Sequence, residues 1–101
     1  DALCQCPEVD VISVVSPTFL HAEHALAALR AGKHLLSDKP TAVSAAEAAT
    51  IAVEASQRPK QIAIIDHELR FLKATQAARD TVASGAIGAV RHVNAQFLLN
   101  M

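Results

Sequence analysis

The hydrophobic pattern alternates between two kinds of segment. Residues Val9 to Val15 read V-D-V-I-S-V-V, a β-branched and nearly continuous apolar run. Such a run predicts a strand buried on both faces of a parallel sheet. Pro17 ends it, and a helix follows from about Phe19 to Ala31, with Thr18 as candidate N-cap and Gly32 as the stop. Ala22, Ala25, Leu26 and Leu29 form its apolar stripe. His34 to Ser37 predicts a short second strand, closed by Asp38-Lys39-Pro40. Ser44-Ala45-Ala46-Glu47 has the form of a capping box and opens a second helix, with Ala48, Ile51, Ala52 and Ala55 as the buried stripe. That helix ends before Arg58-Pro59. Gln61 to Ile65 predicts a third strand leading into Asp66-His67, and Lys73 to Ser84 a third helix stopped by Gly85. Ile87-Gly88 turns the chain, and Val90 to Leu99 alternates with the period of a fourth strand.

Strand, helix, strand, helix, strand with short connections implies right-handed parallel crossovers in an open α/β sheet. Three such strands are fewer than these sheets usually hold. The chain also starts at Asp1 without Met and stops inside the apolar run Phe97 to Met101. Both ends are therefore expected to be cut from a longer protein. The one expected domain boundary falls near Leu69 to Leu72, where the alternation gives way to a new unit.

Composition narrows the function classes. At 101 residues, 51% hydrophobic, with nine basic and ten acidic residues, the chain suits a packed core and carries no basic stripe for nucleic acid or anionic membrane. Three Phe and no Tyr or Trp leave no base-stacking platform. No apolar run approaches the roughly 20 residues of a membrane span. Cys4 and Cys6 are too close for an easy disulfide, no second pair completes a zinc site, and the five histidines lack metal-ligand spacing. Reduced thiols and a cytoplasmic location are the expectation.

The polar residues that remain collect at strand ends: Ser16-Pro17-Thr18, Ser37-Asp38-Lys39 and Asp66-His67. In a parallel sheet all strand C-termini share one edge, and ligands of open α/β folds bind there. Lys39 is the sharpest candidate. At the mouth of a ligand cleft, burial or a nearby cation would destabilise its ammonium and suit it to proton transfer. The plain alternative is that Asp-Lys-Pro is a solvated turn.

The string V-D-V-I-S-V-V-S-P-T…H…A-L…A-G-K-H-L-L…D-K-P, then R-F, then S-G-A-I-G-A-V, resembles the glucose–fructose oxidoreductase / inositol dehydrogenase / MocA family along almost the whole chain. The resemblance implies a fold that is α/β: the C-terminal half of a Rossmann-type parallel sheet (residues 1–69), followed by the start of an α+β substrate domain (residues 70–101). It implies that the complete protein uses NAD or NADP to move hydride to or from a secondary alcohol of a sugar, polyol or related compound, and that it is a homo-oligomer.

The family's Glu-Lys-Pro motif falls on Asp38, Lys39 and Pro40. The match implies that Lys39 contacts the reacting hydroxyl and that Asp38 and Pro40 shape the nicotinamide pocket. Asp in place of Glu shortens the reach by one methylene. Ser16, Pro17 and Thr18 match the loop beside the cofactor, where the family often has Asn at the position of Thr18. His21 matches the histidine after that loop, a hydrogen bonder near the cofactor or a plain structural cap. Arg70-Phe71 matches the domain junction, so Arg70 reaches the cleft or links the domains; Lys73 stands where the family has Pro. There is no G-x-G-x-x-G, and the residue that reads the ribose 2′ position is absent, so NAD and NADP are not distinguished. The resemblance implies that the family's usual catalytic histidine, where the parent protein has one, falls beyond Met101. Rival readings are a non-catalytic relative that keeps the fold for binding or assembly, and an inactive truncated chain.

Overall fold

The structure, a computed structural model, describes residues 2–96 and 98. The chain divides into two compact units, Asp1–His67 and Glu68–Met101. The first unit holds helix α1 (Ala2–Gln5), strand β1 (Val11–Val14), helix α2 (His21–Arg30), strand β2 (His34–Asp38), helix α3 (Ala45–Ser56) and strand β3 (Ala63–Asp66). The strands form one parallel sheet in the order β1-β2-β3. This is the α/β architecture that the alternation predicts.

Register assigns the two faces of the sheet. Ile12, Leu35 and Ala63 align in one row, and Val14, Ser37 and Ile65 in another. Side chains alternate along a strand, so both rows share a face. That face meets the helices: Val14 and Leu35 are buried with Ala25, Ala28 and Leu29 of α2, Ile51 of α3 and Cys4 of α1. On the other face Val11, Leu36 and Ile64 are 55%, 40% and 50% exposed. The expectation that the first strand is buried on both faces is therefore not met by these residues, because helices cover a single face.

Helix α2 fits the sheet closely because Ala25 and Ala28 place only methyl groups against it, both without exposed surface. Ala22 and Leu26 of the expected stripe are partly buried at its border. The helix stops as anticipated, with Gly32 at φ +80°. The amide of Lys33 donates to the Ala28 carbonyl at 3.0 Å and that of Gly32 to the Leu29 carbonyl at 3.1 Å, the two bonds of a Schellman ending. The start differs from the expectation. A 3-10 turn, Thr18–Leu20, precedes α2, its cap position is Pro17, and Thr18 makes no side-chain cap bond. Proline's fixed φ and missing N–H suit it to the entrance of the turn, which displaces the cap from Thr18.

Helix α3 opens as the Ser44…Glu47 pattern requires. The Glu47 amide donates to Ser44 Oγ at 3.2 Å. The Glu47 carboxylate accepts from the Val43 amide, one residue earlier than in a strict capping box. Ile51 is buried and Ala48 and Ala55 are half-buried, but Ala52 is exposed, contrary to the expected stripe. The reason is that α3 does not seat flush. Ala52 lines a cleft of about 140 Å³ together with Leu35, Ile51, Ala63 and Ile65. Glu54 ties the two helices by accepting from Arg30 of α2, 3.0 Å away, and from Arg58.

Helix α1 had no counterpart in the sequence reading. It buries Cys4, and both cysteines are free thiols.

In the second unit a 3-10 turn, Glu68–Phe71, leads into helix α4 (Lys73–Ala83), which buries no residue. Gly85 follows at φ +73° as the expected stop. The expected strand from Val90 to Leu99 is not formed among the described residues 90–96 and 98; Phe97 and Leu99 to Met101 lie outside them. Alternation alone does not make a strand. Its amides and carbonyls need a neighbouring ladder, and here Val93 is 74% exposed with no strand beside it among the described residues.

Candidate functional site

The aligned row Val14–Ser37–Ile65 marks the C-terminal edge of the sheet. Ser16, Lys39 and His67 each stand two residues past it. Neighbouring strands lie about 4.8 Å apart, so parallel topology brings Ser16-Pro17-Thr18, Asp38-Lys39-Pro40 and Asp66-His67 to one edge. Asp38 and Asp66 are themselves register partners.

Backbone tethers hold the middle segment. The Lys39 amide donates to Asp38 Oδ1 at 2.7 Å. Aspartate makes such local side-chain bonds readily because its carboxylate reaches its own neighbouring amides. The Asp at position 38 thus finds a partner at once, in the backbone of the next residue. The Lys39–Pro40 peptide bond is cis. Ser37 is fully buried beneath the segment. Lys39 and Pro40 are exposed, and Asp38 is half-buried.

His21, the first residue of α2, is 2% exposed. Its Nδ1 lies 2.7 Å from the Pro40 carbonyl oxygen and its Nε2 2.7 Å from the Ser16 carbonyl oxygen. A carbonyl oxygen only accepts, so a ring nitrogen that bears a proton donates to the carbonyl it faces. Both ring nitrogens are thereby taken by the chain itself. The ring is not an N-cap, since Leu20 holds that position without a side-chain bond. One turn on, His24 Nδ1 lies 3.0 Å from Ser16 Oγ, so the Ser16 loop is gripped by two histidines of one helix. The contact of His24 with Ser16 has no signal in the sequence beyond their shared closeness to Pro17. His34 accepts from the Ile62 amide through Nδ1 at 2.9 Å and ties β2 to the approach of β3.

Thr18 is half-buried, and its hydroxyl and the Lys39 ammonium have no hydrogen bond among the described residues. Arg70 lies in the second unit, on the turn Glu68–Phe71, and is exposed. Two clefts accompany the sheet, one along α3 and one of about 190 Å³ lined by Leu3, Cys4, Ile12, Ser13, Val14, His24 and Ala27. Neither of these two is lined by Ser16, Pro17, Thr18, His21, Asp38, Lys39 or Pro40. Among the described residues no group of three His, Cys, Asp or Glu side chains is placed to hold a metal ion, and no helix is long and apolar enough to cross a membrane.

The edge chemistry suits the nicotinamide end of a dinucleotide: small polar side chains, an available hydroxyl at Thr18 and an available ammonium at Lys39. The pyrophosphate end is different. The three glycines, Gly32, Gly85 and Gly88, stand at helix ends and turns, and no glycine-rich strand-to-helix turn occurs in these residues.

Residues 1–67 match the Gfo/Idh/MocA oxidoreductase family, NAD-binding Rossmann fold. The chain is 40% identical over 82 residues to 1,5-anhydro-D-fructose reductase of Ensifer adhaerens, covering 81% of this chain and 24% of that protein. It is 38% identical over 103 residues to dTDP-3,4-didehydro-2,6-dideoxy-alpha-D-glucose 3-reductase of Streptomyces violaceoruber, covering 98% of this chain and 29% of that protein. Among solved structures, apo scyllo-inositol dehydrogenase from Lactobacillus casei superposes with a TM-score of 0.78 at 26% identity, covering 86% of this chain and 26% of that one. The chain thus spans about a quarter of the length of the relatives it matches. On the family match over residues 1–67, the parallel sheet and these relatives, the chain belongs to the Gfo/Idh/MocA family of oxidoreductases with an NAD-binding Rossmann fold.

Proposed function

We propose that the protein carrying this chain is an NAD(P)-dependent oxidoreductase that interconverts a secondary alcohol of a sugar, polyol or related compound with its carbonyl form, with Lys39 as the proton-transfer residue. The observation that carries this reading is the place of Lys39: exposed at the ligand edge, two residues past the row Val14–Ser37–Ile65, on an Asp-Lys-Pro segment anchored at its backbone. The sugar and cyclitol names of the similar proteins support the substrate class.

A nicotinamide cofactor, when bound, supplies the hydride acceptor or donor. In this reading Ser16, Pro17 and Thr18 border it, and Asp38 and Pro40 shape the floor beside Lys39. Lys39, as the free amine, takes the hydroxyl proton at Nζ as the alcohol becomes a carbonyl, and as the ammonium returns it in the reverse direction. Asp38 fixes the Lys39 amide, which limits the positions the lysine side chain starts from. Arg70 and the second unit belong to the approach of the substrate domain, residues 70–101.

The test is Lys39→Met in the complete protein, assayed with NAD and NADP against a panel of sugars and cyclitols. We expect kcat to fall by roughly two to four orders of magnitude, the usual size of an acid–base contribution. Cofactor affinity should move far less. Near-wild-type turnover on the preferred substrate would remove Lys39 from this role.

A further inference from the structure

We propose that His21 is a positioning residue for Lys39: its buried ring joins the carbonyls of Ser16 and Pro40 and so sets where the lysine stands at the sheet edge. This rests on the reading of Lys39 as the proton-transfer group. It assigns His21 no contact with cofactor or substrate, because both ring nitrogens are already engaged within the chain.

Little else holds Lys39. The residue is exposed, so no packing defines it. It follows the last residue of β2 and enters residues 39–44, which have no helix or strand. Its position is therefore set by backbone bonds on either side. On one side its own amide is held by Asp38 at 2.7 Å. On the other, the carbonyl of the next residue, Pro40, is held by His21 at 2.7 Å. Without the second bond the next anchors along the segment are Ala42, packed against the core, and the Val43 amide, held by Glu47 of α3.

His21 is suited to be the fixed point. It opens α2, whose Ala25, Ala28 and Leu29 are fully buried against the sheet, so the ring is carried on the most firmly packed element of the unit. Its other nitrogen holds Ser16, the residue two past the end of β1, and Ser16 is held again through its hydroxyl by His24. The ring thus spans the exits of two adjacent strands, and reaches Pro40 across 19 positions of sequence. Its imidazole is a rigid plane with a nitrogen on each side, each 2.7 Å from one of the two carbonyl oxygens, so both strand exits are referred to one ring. A displacement of about 1 Å at a reacting group is worth up to roughly a hundredfold in rate.

The rival is a merely structural histidine, whose loss weakens the fold and lowers activity whatever stands at position 39. A double-mutant cycle in the complete protein separates the two. His21→Phe keeps the ring volume and removes both nitrogens, and His21→Gln is the milder change; each is made alone and together with Lys39→Met. We expect either change alone to lower kcat about ten- to hundredfold, with the cofactor KM altered no more than a few-fold. In the Lys39→Met background the same changes should cost nothing further in kcat. Equal losses in both backgrounds would overturn the proposal, as would unchanged kcat in the single variants. Failure of both variants to fold would overturn it too, by making the ring a core residue. The underlying reading of Lys39 fails separately, and is recognised from Lys39→Met alone if that protein turns over normally.

Discussion

Gly32 joins the best-packed helix to the strand that delivers the Asp38-Lys39-Pro40 segment, and its replacement has a cost that can be worked from the structure. In Gly32→Ala the new Cβ would meet no atom within 4 Å, so steric clash contributes nothing. What remains is conformational. At φ +80° an L-residue sits in the left-handed region, which costs roughly 1–2 kcal/mol. Alanine also narrows the unfolded ensemble, which offsets about 0.4–1 kcal/mol. The net loss is then about 1 kcal/mol. With a urea m-value near 2 kcal/mol/M, the midpoint should fall by about 0.5 M. Both Schellman bonds use backbone atoms of residues 28, 29, 32 and 33, so they should survive, and the m-value should not change. Replacement by D-alanine, which prefers positive φ, should reverse the sign and raise the midpoint. Equilibrium urea unfolding followed by far-UV circular dichroism measures all three proteins. An L-alanine variant as stable as the parent would refute the conformational argument. A loss beyond about 3 kcal/mol would show a close neighbour at this position.

Two further outcomes follow from the same structure. Ser44→Ala removes the acceptor of the Glu47 amide and should cost about 1 kcal/mol, read as a lower unfolding midpoint, whereas Ser44→Asp should be nearly neutral; a neutral alanine variant would mean that the cap does not hold in solution. The 101-residue chain by itself should self-associate, because β1 pairs on one side only and Val11 and Val15 are 55% and 76% exposed; light scattering that shows a monomer at all concentrations, with strongly protected amides in Val11–Val14, would contradict this.

The parts of the fold that were legible in the sequence rest on short-range physics. Ser44 and Glu47 meet because three residues separate a cap from the amide it satisfies. Gly32 and Gly85 end helices because the αL conformation needed there is a property of single residues. Alternation of strands and helices implies parallel pairing, and parallel pairing by itself gathers the polar strand ends, Lys39 among them, at one edge. Where the signal was local but its consequence was not, the reading failed. Val90 to Leu99 has strand periodicity, yet a ladder needs a second strand, and none stands beside its described residues. Ala52 is on the right stripe, yet the seat of α3 leaves it facing a cleft. Thr18 has the chemistry of a cap, yet Pro17 starts the turn. The histidines show the limit most plainly. An imidazole at position 21 is compatible with a cap, a cofactor contact or a buried support. Only the packing of α2 against β1 and β2 decides, because it brings the Ser16 and Pro40 carbonyls to opposite edges of one ring, and no spacing along the chain encodes a contact between residues 19 positions apart.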